Sequence, residues 1–248
     1  MESLPKYVTA NFGLNGILHE LNRFIYHFQS TEIYSLENRA KRALPEIIPV
    51  VLYFLTSCSP RYFYPQFLFG KSSWKVKTFT DYQLYFIILH EISHHILEHP
   101  QRVSLIKDYV ECQNKIKQFE YEVDTLANVL MASSIITEGN DEPRSKHSVI
   151  VYADAIEAVE LLFEHMNFIE EMEEIIRHRF GSFINISSTK GAHPEAYTRL
   201  EYFHRIFDKN RQLSETALYA RNLYNRMTNY CLELSNDELA SLMRDYLV

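Results

Sequence analysis

The stretch from Leu84 to Leu97 constrains this chain more than any other. It runs through Leu84, Phe86, Ile87, Ile88 and Leu89, resumes with Ile92, Ile96 and Leu97, and carries His90-Glu91-Ile92-Ser93-His94 in its middle. A segment apolar on nearly every side predicts a buried helix, from a cap at Asp81 to about Glu98, ahead of Pro100. Two imidazoles and a carboxylate in such a helix need partners, because a stranded buried polar group costs several kcal/mol.

The spacing of these groups has a chemical consequence. Residues four apart on an α-helix lie on one face, so His90 and His94 can turn both rings to one ion. Glu91 sits about 100° further round, placed to take a proton from water at that ion without ligating it. A catalytic zinc takes three protein ligands and keeps one position open. Beyond His94 by 26 residues, Glu120-Tyr121-Glu122-Val123-Asp124 sets two acids four apart on a second helix. Glu120 can complete a His/His/Glu set. Asp124, one turn on, can accept a hydrogen bond from the ring nitrogen of a zinc-bound histidine that faces away from the ion, fixing its tautomer. Glu122 is offset and reads as a solvated acid. His95 and His99 lie off the ligand face and read as surface or helix-end residues, His99 suiting the C-terminal dipole. His19, His27, His147, His165, His178 and His204 have no ligand spacing.

The segments HEISHH and EYEVDTLANVL resemble the HExxH…ExxxD pairing of the gluzincin metallopeptidases, especially the M48 type. A third element, His193-Pro194-Glu195-Ala196-Tyr197-Thr198-Arg199, is similar to the HPxxxxR segment of that family. The three pieces stand in family order over about Leu84 to Phe207. The resemblance implies a mainly α, zincin-like core with an active-site helix, a second ligand-bearing helix and at most a small β element. It implies Zn2+ held by His90, His94 and Glu120, Asp124 orienting a ligand, and His193 and Arg199 near the site. His193 reads either as a donor to the oxyanion of a tetrahedral intermediate or as a loop histidine capping a helix. Arg199 reads as the partner of an internal acid. Ser93 stands where the family commonly has Gly, and Val123 where it has Ala. The membrane-spanning segments of many M48 enzymes are absent, so a soluble relative similar to the phage-exclusion (Lit-type) peptidases fits equally.

The remainder of the chain reads as helical. Leu14, Ile17, Leu18, Leu21, Phe24, Ile25 and Phe28 recur at helical spacing, and a second helix is expected over Thr31 to Leu44. Pro49, Pro60 and Pro65 break the apolar runs between Pro45 and Lys71, which favours strand or loop there. Ser73 to Thr80 alternates loosely, as a half-exposed strand does. Helices are expected over about Val103 to Ser133, over Val149 to about Arg179, and from Pro194 to about Phe207. Ser235-Asn236-Asp237-Glu238 has the form of a capping box. These elements suggest one domain over 1–248, with a core over about 81–209 and extensions at 1–80 and 210–248.

Composition narrows the partners. A net charge of -7 with no basic run argues against a nucleic-acid surface. Cys58, Cys112 and Cys231 form no CxxC, which points to reduced, packed thiols rather than a disulfide framework. The first residues lack a signal-peptide pattern, and the run Ile47 to Leu55 is too short to span a bilayer. The expectation is a cytoplasmic zinc endopeptidase acting on protein or peptide, with no nucleic acid and no transmembrane segment. The competing expectation is a metal-binding regulatory or interaction protein of the same fold without turnover.

Overall fold

The computed structural model describes residues 7–30, 34–56, 71–138, 146–181, 194–207 and 212–244. Those residues form nine α-helices and no strand, so the fold is mainly α. The helices are α1 (Tyr7–Ser30), α2 (Leu36–Thr56), α3 (Lys71–Ile96), α4 (His99–Ser104), α5 (Tyr109–Glu138), α6 (Lys146–Phe180), α7 (Ala196–Phe207), α8 (Glu215–Glu233) and α9 (Asn236–Leu242). None is long and apolar enough to cross a membrane.

The chain divides into two compact units. One comprises Met1–Thr80, Phe168–Ser187 and Glu215–Val248; the other comprises Asp81–Asn167 and Ser188–Ser214. Helices α3 and α6 each supply residues to both.

In the first unit α2 packs on α1 and α8. Ile17, Leu21 and Ile25 of α1 are buried, as are Leu44, Ile47, Val51 and Leu52 of α2 and Leu223 and Met227 of α8. Each large aliphatic side chain buried this way contributes about 1.5–3 kcal/mol. That total explains why α2 continues through Pro45 and Pro49, where a strand or loop was expected. The two prolines are four apart, so the missing N–H groups lie on one side, where Pro45 is exposed and Pro49 half-buried. Residues 57–70 lie outside the described set. Helix α9 has both halves of its capping box: Glu238 N donates to Ser235 Oγ (3.3 Å) and Ser235 N to Glu238 Oε2 (2.8 Å).

The strand expected over Ser73–Thr80 is instead the first part of α3. Val76, Phe79, Thr80, Gln83 and Phe86 are the buried positions, a helical spacing, and Trp74 is exposed. Thr80 and Gln83 hid that pattern because they are polar, and each is satisfied internally. Thr80 Oγ1 donates to Val76 O (2.8 Å), and Gln83 Nε2 donates to Ala158 O (3.1 Å). Asp81 is therefore a mid-helix residue, not a cap.

In the second unit α5 packs on α7 and α4. Phe86, Phe163 and Phe203 form a buried aromatic cluster with centroids 6.0, 6.5 and 6.1 Å apart. Phe86 lies one turn before His90, so anchoring its ring in this cluster fixes the rotation of α3 and turns His90 and Ser93 inward. The helix is not apolar on all sides as expected. Ile88, Ile92 and Ile96 are 43%, 43% and 55% exposed and form a stripe on its outer side. The long helix expected from Val103 to Ser133 is broken over 105–108. Asp108 starts α5 afresh, its Oδ1 accepting from Glu111 N at 2.8 Å. Helix α7 begins at Ala196, with Arg199 N donating to Glu195 O (3.1 Å), so Pro194 stands just before the first turn rather than in it.

Candidate metal centre

Helices α3 and α5 bring His90, His94 and Glu120 together. Their ligand atoms all lie within 4.8 Å of one another, and the group could hold a metal ion. The two Nε2 atoms are 3.3 Å apart. Glu120 presents Oε2 to His90 Nε2 at 3.5 Å and Oε1 to His94 Nε2 at 3.4 Å. A tetrahedral ion with ligand bonds of about 2.0–2.1 Å sets its ligand atoms about 3.3 Å apart. The Nε2–Nε2 separation matches that edge. The two Glu120 contacts end on its two different oxygens, so the donor types suit a divalent ion such as zinc and a small shift of the carboxylate would bring one oxygen to both rings.

The far side of His90 is fixed by charge. His90 Nδ1 is 2.9 Å from Asp124 Oδ1. Asp124 also accepts two bonds from Arg199, Nη2 to Oδ1 at 2.7 Å and Nε to Oδ2 at 2.8 Å. A carboxylate engaged this way is an acceptor, so His90 Nδ1 carries a hydrogen, and Nε2 is the nitrogen left to bind an ion once its own proton is displaced. All three side chains are buried, and the Arg199 guanidinium also lies 5.4 Å over the Phe163 ring. Arg199 Nη1 is 3.6 Å from Glu120 Oε2, so one cation serves both acids.

These contacts set the proton affinities of the metal-free site. Burial pulls the His90 imidazolium down, but hydrogen bonds to Asp124 and Glu120 outweigh it and raise its pKa to about 9. Burial also opposes ionisation of Asp124, and the Arg199 charge and its hydrogen bonds hold that carboxyl below the ordinary range.

The far side of His94 is occupied by His99, which lies just past the end of α3 but is buried against the site, not at the surface. His99 is 2% exposed. Its Nδ1 lies 3.1 Å from His94 Nδ1, and its Nε2 lies 3.2 Å from Glu122 Oε2. Its ring stacks on Phe119 at 4.0 Å and 11°. Burial and the neighbouring His94 push its pKa down, against the pull of Glu122. Glu122 is not the solvated acid its position suggested. It also accepts from Arg102 Nη1 (3.3 Å) and Gln118 Nε2 (3.0 Å). The turn after α3 accounts for the position of His99. Glu98 has φ 55°, the left-handed conformation that ends a helix, and Pro100 follows at the start of α4.

Glu91 is exposed beside the group and His95 is exposed further along. Ser93, fully buried, donates from Oγ to Leu89 O (2.7 Å), so its hydroxyl is not a stranded polar group. Val123 is fully buried. Tyr121 is half-buried with its ring 4.5 Å from that of Tyr202, and burial raises its phenol pKa. His193 lies outside the described residues. Sequence reasoning missed His99 and Glu122, neither of which has a ligand spacing; Pro100, four residues past the end of α3 at Ile96, was the one local sign that the helix stops there. No family model, curated protein or solved structure matches the chain.

Proposed function

We propose that this chain is a zinc-dependent endopeptidase of the gluzincin type, hydrolysing peptide bonds at the His90–His94–Glu120 centre. The observation that carries the reading is the convergence of two imidazole nitrogens and a carboxylate, their ligand atoms within 4.8 Å of one another, with the exposed acid Glu91 next in sequence to the first imidazole. Bound there, zinc supplies a Lewis acid that polarises a carbonyl and makes water more acidic. Glu91 is the general base: it is exposed, one residue from a ligand, and takes the proton of the attacking water before returning it to the leaving amine. Asp124 and Arg199 hold His90 in the tautomer that ligation needs. The oxyanion donor in this reading is His193 or a tyrosine such as Tyr121, whose raised pKa keeps its proton in place at neutral pH.

A structural zinc site surrounds its ion with four protein ligands. Among the described residues this group offers three, which favours turnover over a purely structural or regulatory role. The test pairs elemental analysis with cleavage of a broad peptide library. Wild type is expected to carry one zinc and to cut, Glu91→Gln to keep the zinc and lose cleavage, and His94→Ala to lose both. Full cleavage by Glu91→Gln overturns the mechanism. Zinc retained in His94→Ala overturns the ligand assignment, and a zinc-loaded wild type that cuts nothing leaves the interaction-protein reading in its place.

A further inference from the structure

The structure assigns His99 as the positioning residue for His94, held by Glu122, so that one ligand of the centre is oriented by a second imidazole instead of a carboxylate. With a neutral His99 ring the hydrogen-bond chain has one consistent direction. Glu122 Oε2 also accepts from Arg102, so it is an acceptor toward His99 Nε2, which must donate. A neutral imidazole that donates from Nε2 has a lone pair at Nδ1. His99 Nδ1 therefore accepts across the 3.1 Å contact, and His94 Nδ1 is the donor. That leaves the lone pair of His94 at Nε2, the atom 3.3 Å from His90 Nε2 and 3.4 Å from Glu120 Oε1. Glu122 thus selects, through two rings, the tautomer of His94 that can bind a cation.

Three further contacts hold the relay in register. The His99 ring is stacked on Phe119, the residue before Glu120, so His94 is oriented from the same turn of α5 that supplies the third ligand. Arg102 lies with its guanidinium 4.2 Å over the other partner of that stack, the Phe119 ring, and bonds Glu122 at 3.3 Å. Gln118 steadies the second oxygen of Glu122 at 3.0 Å.

The inference rests on the metal reading of the centre, and its test separates the two. His99→Phe keeps an aromatic ring on Phe119 and removes the acceptor; Glu122→Ala keeps the ring and removes its anchor. Zinc affinity is measured for each by chelator competition, with circular-dichroism melting of the metal-free proteins as a check on folding. His99→Phe is expected to melt near the wild type yet bind zinc about 10–100-fold more weakly, the usual cost of losing a ligand's orienting partner. Glu122→Ala is expected to show a smaller loss, and His99→Asn, whose amide oxygen can accept, a partial recovery relative to His99→Phe. Affinity within about twofold of wild type in His99→Phe, or in Glu122→Ala if that variant does not fold, overturns the relay and leaves the metal centre standing. A wild type that binds no zinc removes both.

Discussion

The two histidines of the centre are one helical turn apart and are held in opposite ways. His90 is backed by an ion pair, Asp124 with Arg199, in which every member is buried. His94 is backed by a neutral ring on an aromatic stack, anchored to a half-exposed carboxylate. The side chain of His90 is 10% exposed and that of His94 is 22% exposed. The difference shows how burial selects the means. Where water is excluded, a charge pair polarises a ligand strongly, and losing either member is severe. Toward solvent, the same orienting task falls to an aromatic stack and a single acceptor.

The comparison is broken most sharply by removing the buried cation. Arg199→Ala leaves Asp124 and Glu120 with His90 as their remaining cation in the interior and is expected to cost about 3–5 kcal/mol of unfolding free energy in a urea titration. A loss below about 1 kcal/mol would mean that the two sides do not differ as described.

The next effect is a pH dependence of opposite sign on the two sides, read in metal-free protein. His90 has its pKa raised to about 9, so the stability it contributes is complete below about 6.5 and is lost as pH rises through 9. The full effect approaches about 3 kcal/mol, and His90→Asn should flatten that limb of the stability profile. His99 has its pKa lowered, so its contribution is present above about 6.5 and is lost as pH falls. His99→Phe should flatten the acid limb. Limbs that respond to the wrong substitution would reverse the assignment.

The smallest effect is at Glu98, where a non-glycine residue in the left-handed region costs about 1–2 kcal/mol. Glu98→Gly relieves that strain and gives back part of the gain as unfolded-chain entropy. A rise in Tm worth at most about 1 kcal/mol is expected. A fall would show that the Glu98 side chain makes a contact that outweighs its backbone strain.

The centre was more legible in the sequence than the helices around it. His90, His94, Glu120 and Asp124 could be found because helical spacing converts directly into a shared face. Arg199 stands out in the sequence only through the segment resembling HPxxxxR, and its expected pairing with an internal acid is met by Asp124. His99 could not be placed, since its position depends on a left-handed turn at Glu98 that no spacing announces. The start of α3 was misread because Thr80 and Gln83 are polar yet buried, and their partners, Val76 O and Ala158 O, are backbone atoms that leave no mark in composition. Pro49 reads as a break because the penalty of a proline is local, whereas the burial that overrides it is summed along the whole of α2.

The short span between the ligands has its own consequence. His90 and Glu120 are separated only by the end of α3, the brief α4 and the start of α5. An ion gripping all three side chains is therefore a clasp across a local hairpin rather than a tie between distant parts of the chain. Closing so small a loop costs little entropy, so if the group takes up an ion, cation concentration would become a control on how firmly that hairpin is shut.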